Sequence, residues 1–85
     1  MGNLKARVYV KLKDTVLDPE GKTIKESLQR KGYEDIESVK VGKYFDIELE
    51  VDSRAAGEAL LSEISERILS NPIIEENCIE VVEEG

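Results

Sequence analysis

Five apolar residues, Leu4, Ala6, Val8, Val10 and Leu12, alternate without a break with Lys5, Arg7, Tyr9, Lys11 and Lys13. Successive side chains of a strand point to opposite faces, so a period of two gives this segment one apolar face and one basic face. A helix would scatter both sets around its circumference. The segment therefore predicts a strand in a sheet covered on one side only, and the rest of the chain must supply the cover.

Helical spacing follows. From Pro19 the apolar residues Ile24 and Leu28 stand four apart, and Lys31-Gly32 offers a basic last turn and a left-handed cap. Asp18 takes the N-cap position, Pro19 the first helical position, and Glu20 favours the positive helix end. The same stretch, LDPEGKTIKESL, contains GKT, the tail of a phosphate-binding loop of the form G-x-x-x-x-G-K-[ST]. Counting back from Gly21, the first glycine of that loop falls on Val16. Asp14, Asp18 and Glu20 would also oppose a polyphosphate where bare amides are required. GKT reads as the first turn of an ordinary helix.

In IESVKVGKYFDIELEV, Val39 and Val41 flank Lys40, Gly42-Lys43 suits a tight turn, and Phe45, Ile47, Leu49 and Val51 alternate with acids, which predicts a hairpin. Asp52-Ser53 caps a second helix with a stripe of Ala56, Leu60, Ile64 and Ile68, widened by Leu61 and Leu69. Asn71-Pro72 ends it, because a residue before proline avoids the helical region. A connection through Ile73-Ile74-Glu75-Glu76 leads to a last strand, Cys78 to Val82. The order β-α-β-β-α-β predicts one α+β domain over residues 1–85. It would be a ferredoxin-like two-layer sandwich, with a four-stranded antiparallel sheet and both helices on one face.

A chain of 85 residues builds a thin core, and Cys78, the single cysteine, cannot staple it. Oligomerisation is the expected supplement. With no histidine and one cysteine, no metal site is expected. Nineteen acidic residues against twelve basic argue against a nucleic-acid partner. The absence of a long apolar run predicts a cytoplasmic protein with no membrane partner.

The uncovered sheet face is expected to carry a basic row, Lys5, Arg7, Tyr9, Lys11 and Lys13, beside an acidic one, Tyr44, Asp46, Glu48 and Glu50. Cross-strand pairs of this kind contribute about 0.2 to 1 kcal/mol each. Such a face has three possible uses. Tyr9 and Tyr44 sit where RNA-recognition modules stack bases, but acids line the same face and the usual strand motif is missing. An effector-binding regulatory (ACT-like) domain shares the strand order but usually accompanies a catalytic domain. A protein interface suits a thin-cored domain with an open face, and is the preferred reading.

The usual catalytic parts are absent. Cys78 lies among Glu76 and Glu80, which work against a thiolate, so it reads as a buried or half-buried small residue. Glu75-Glu76 and Glu83-Glu84 read as solvated surface. Arg7, Lys11 and Lys43 are candidates for an anion at an oligomer interface, with charge balance against the acidic row as the simpler role.

Three further motifs, V-L-D-P-E-G-K at Val16 to Lys22, G-K at Gly42-Lys43 and L-S-N-P-I-I-E at Leu69 to Glu75, occur in order along the chain. Together they resemble the PurS family, the small subunit of multi-chain phosphoribosylformylglycinamidine (FGAM) synthase. The resemblance implies a non-catalytic component of de novo purine synthesis that binds no cofactor itself. It implies ATP and Mg on a large synthetase subunit and the glutaminase thiol on another, with the small subunit joining them and sheltering ammonia in transit. It also implies a homodimer or homotetramer. Docking or oligomer contacts are then expected at Asp18, Pro19, Gly21, Lys22, Gly42, Lys43, Asn71, Pro72 and Glu75.

Overall fold

A computed structural model describes residues 2–84 of the chain. The elements run β1 (Gly2–Leu12), α1 (Pro19–Arg30), β2 (Gly42–Val51), α2 (Arg54–Ile64), a π-helical stretch (Ser65–Leu69) and β3 (Glu75–Glu84). The strands form an antiparallel sheet of order β2-β1-β3.

The alternation in β1 has the expected effect: Leu4, Ala6, Val8 and Val10 are buried on one face. Leu4, Ala6 and Leu61 form the centre of the core, surrounded by half-buried Ile47, Leu49, Val51, Ile64, Ile79 and Val81. Each fully buried aliphatic side chain stabilises the fold by about 1.5 to 3 kcal/mol, so a core this small is held by few residues.

Helix α2 starts at Ser53, whose hydroxyl accepts the Ala56 N–H at 3.1 Å. It approaches the sheet through Gly57 and Leu61. A Cβ on Gly57 would stand 2.7 Å from Leu4 Cδ2 and 3.0 Å from Val51 Cγ1, so a larger residue here would require these core side chains to shift. The buried line therefore runs through Gly57, Leu61 and Ser65, with Ile64 and Leu69 half-buried beside it, so the expected stripe holds at Leu61 and Ile64 and is displaced elsewhere. Ala56, Leu60 and Ile68 are exposed, with Ile68 76% accessible. The π-helical stretch is closed by Ser70, whose Oγ donates to the Ser65 carbonyl at 2.6 Å and accepts from Asn77 Nδ2 at 3.3 Å.

Four expectations need correction. The four-stranded sheet is not formed: among the described residues the sheet has three strands, and Val39 and Val41 lie in an irregular segment. Two valines around one lysine are too short a β signal, and the backbone there bonds elsewhere: Val41 N–H donates to Asp18 Oδ2 at 2.8 Å. Gly42-Lys43 is accordingly no hairpin turn, because these residues open β2 and pair with Lys11 and Val10. The last strand starts at Glu75, since Leu12 pairs with Glu75 and Lys13 N–H donates to the Ile74 carbonyl at 2.8 Å. Finally, α1 does not cover the sheet as a second layer. It buries only Gly21, and Ile24 stays 38% exposed. The molecule is drawn out to 53 × 26 × 14 Å with a radius of gyration of 16.6 Å. A compact chain of this length has about 12 Å. Helix α1 and the segment 36–41 form an arm beyond the end of the sheet.

Candidate functional site: the loop end of the sheet and its open face

Asp18 organises the arm. Its Oδ1 accepts the Gly21 N–H at 2.9 Å, the expected N-cap bond, and its Oδ2 holds Val41. These two bonds, Val41's first, keep the carboxyl below the usual carboxylate range although the side chain is buried. Lys22 N–H closes the first turn on the Asp18 carbonyl at 3.0 Å, and Thr23 Oγ1 donates to the Pro19 carbonyl at 3.0 Å. A Cβ on Gly21 would lie 2.1 Å from the Val39 carbonyl oxygen, so the glycine is what lets the segment lie against the helix. At the far end of α1, Gln29 Nε2 donates to the Ile36 carbonyl at 3.1 Å. The amide that a phosphate loop would offer from Gly21 is occupied by Asp18.

Asn71 builds the second loop. Its backbone N–H donates to Glu75 Oε1 at 2.7 Å, its carbonyl accepts from Glu75 N at 2.7 Å, and its Oδ1 accepts from Ile73 N at 3.1 Å. Pro72 and Ile73 are held outward on this turn, Ile73 81% exposed.

Antiparallel pairing brings the three motifs to one end of the sheet, where β1 finishes and β2 and β3 begin. Gly42, Lys43 and Glu75 meet Glu20 around a shallow cleft of about 230 Å³. Asp18, Gly21 and Lys22 line a neighbouring groove of about 480 Å³ with Val39 and Lys40. Pro19, Asn71 and Pro72 lie outside both clefts. Val41 and Glu20 also line this region, though neither is among the contact residues expected from the sequence; no periodicity marks a backbone amide held by an aspartate.

The open face has the expected register: Lys5 faces Glu48, Arg7 faces Asp46 and Tyr9 faces Tyr44. Arg7 Nε donates to Asp46 Oδ1 at 2.8 Å, and Lys5 Nζ lies 3.8 Å from Glu48 Oε2. The Asp46 bond above all raises the Arg7 pKa beyond its already high range. The Arg7 guanidinium also lies 4.5 Å from the centre of the Tyr44 ring, and the Tyr9 and Tyr44 rings are 6.0 Å apart. Strand β3 adds acids on the other flank: Lys11 Nζ is 3.3 Å from Glu76 Oε1, and Tyr9 OH is 3.5 Å from Glu80 Oε1. Cys78 is exposed on this face opposite Tyr9, not buried, because the register of β3 puts it on the side away from Val8 and Val10. Arg7, Lys11 and Lys43 are not brought together as an anion site. The first two face carboxylates, while Lys43 Nζ sits 5.6 Å above Phe45.

The family PurS, described as phosphoribosylformylglycinamidine (FGAM) synthase, matches residues 5–83. The chain is 37% identical over 79 residues to the phosphoribosylformylglycinamidine synthase subunit PurS of Bacillus subtilis, covering 93% of each. Its fold superposes on the B. subtilis PurS structure with a TM-score of 0.82 at 36% identity, over 94% of this chain and 99% of that one. The Methanocaldococcus jannaschii PurS structure, described as one of the subunits of formylglycinamide ribonucleotide amidotransferase in the purine biosynthetic pathway, gives 0.80 at 33% identity. That match covers 93% of this chain and 95% of the other. The three motifs lie inside the matched region, and the chain belongs to the PurS family.

Proposed function

We propose that this chain, acting as a single unit over residues 1–85, is a non-catalytic assembly subunit of FGAM synthase in de novo purine biosynthesis. It joins a glutaminase subunit to a large synthetase subunit in the cytoplasm and works as a homodimer or homotetramer. ATP and Mg belong to the large subunit in this reading. Membership in the PurS family supports the subunit role, and one observation carries the assembly role. The loops at Asp18–Lys22, Gly42-Lys43 and Asn71–Glu75 converge on one end of the sheet, each locked by hydrogen bonds or strand pairing into a defined shape.

Rigid, exposed loops suit docking, because little conformational freedom is lost when a partner covers them. The coupling also has a chemical reason. Ammonia released at a glutaminase is protonated and dispersed in bulk water, so a dry contact between two enzymes preserves the nucleophile. Reconstitution with the two larger subunits tests the reading. Omitting this chain should abolish glutamine-dependent activity and leave ammonia-dependent activity largely in place. Equal glutamine-dependent turnover with and without the chain would overturn it.

A further inference from the structure

We propose that Leu17 and Ile73 are the apolar anchors of the docking end, and that they seat in an aliphatic pocket on one of the larger FGAM synthase subunits. The inference rests on the assembly reading and names the side chains and the kind of partner surface through which it operates.

Both side chains stand in water, Leu17 73% and Ile73 81% exposed. A lone exposed aliphatic residue needs no partner. Here two of them ride on loops that are bonded together, since the Lys13 N–H donates to the Ile74 carbonyl at 2.8 Å. Neither can fold back onto the chain. Asn71 fixes the turn beneath Ile73 through its bonds with Glu75 and with the Ile73 amide. Leu17 is held between the turn that Val16 N–H closes on the Lys13 carbonyl at 2.9 Å and the bonds of Asp18 to Gly21 and Val41. Anchors held in this way lose little freedom when a partner covers them.

The charges around them point to an uncharged pocket. Asp14 faces Lys40 at 4.0 Å and Glu76 faces Lys11 at 3.3 Å, while Asp18 and Glu75 accept backbone amides. These carboxylates are satisfied within the chain and do not call for cations on a partner. What remains is apolar surface, whose removal from water drives association without regard to sign. A second copy offers no seat for it. The clefts at the loop end and on the open face are each lined by four or more charged side chains. An aliphatic group inserted there would separate those charges from water with nothing in exchange.

Titration of this chain into the two larger subunits tests the assignment, with glutamine-dependent turnover as the signal. Leu17→Ser with Ile73→Ser should raise the half-saturating concentration at least about tenfold and leave the plateau unchanged. Its melting temperature should stay within about 3 °C of wild type, because exposed positions contribute little to the fold. Leu17→Ile with Ile73→Leu keeps the apolar volume and should bind within about threefold of wild type. The ratio between wild type and the serine variant should persist when salt is raised to about 0.5 M, since screening acts on charges and not on apolar contact. An unchanged half-saturating concentration overturns the anchors and leaves the assembly reading standing. So does a ratio that collapses at high salt, a serine variant that melts well below wild type, or one that changes only self-association. Wild type that gives no saturable stimulation overturns the assembly reading itself.

Discussion

Asp18 Oδ2 accepts the backbone N–H of Val41 at 2.8 Å, across 23 positions of the chain, while its other oxygen caps α1. One carboxylate thus sets both the start of the helix and the path of the segment that returns to the sheet.

Because those amide bonds depress the folded-state pKa, the stabilisation from Asp18 is complete above the unfolded value. It is lost as pH falls through the lower folded value. The Val41 amide resonance should therefore titrate with a midpoint below the ordinary aspartate value of about 3.9. Asp18→Asn should remove that titration and lower the melting temperature at neutral pH. A midpoint at or above the ordinary value contradicts the assignment.

Gly21→Ala sets two effects against each other. Alanine favours a helix over glycine by about 1 kcal/mol. The new Cβ would lie 2.1 Å from the Val39 carbonyl oxygen, and backbone cannot yield as a side-chain tip can. The clash should win, with a net loss of about 1 to 3 kcal/mol in urea unfolding. A neutral or stabilised variant would show that the segment 36–41 is free to move away.

Ser65 is fully buried with no hydrogen-bond partner for its Oγ. Ser65→Ala removes an unsatisfied hydroxyl and should leave stability unchanged or raise it by about 1 kcal/mol in chemical denaturation. A loss greater than about 1 kcal/mol would indicate a partner for the hydroxyl in solution.

Asn71→Ala with Pro72→Ala removes the Asn71 Oδ1 bond to Ile73 and relaxes the turn without touching the core. The melting temperature should fall by a few degrees, as expected for about 1 kcal/mol in a small domain. Glutamine-dependent activity of the reconstituted complex should fall by about tenfold or more, in keeping with a docking contact worth over 1 kcal/mol. Unchanged activity would remove this loop from the docking surface.

Much of the sheet was legible because period two speaks directly about faces. The Lys5–Glu48 and Arg7–Asp46 pairs follow from alternation plus an antiparallel order. The buried line of α2 was not, because it runs through Gly57 and Ser65, and small residues that admit close approach carry no apolar signal. The fourth strand failed for a related reason. Val39 and Val41 look like strand residues, yet the Val41 amide is claimed by an aspartate far away in sequence and the Val39 carbonyl lies against Gly21, which local pattern cannot register. For the loop end of the sheet, the three motifs were readable one at a time. Their convergence depends on strand order, and the clefts with Glu20 and Val41 appear only once that order is known.

The placement of β1 between two strands that both come later has a consequence for synthesis. Its second neighbour, β3, is made after every other described element, and Tyr9 reaches Glu80 across 71 positions. Until β3 has been made, Leu4, Val8 and Val10 lack half of their sheet, so the nascent polypeptide carries an incomplete, sticky ribbon up to that point. Completion of the sheet thereby waits for the strand most distant in sequence from β1, and closing that long loop slows it.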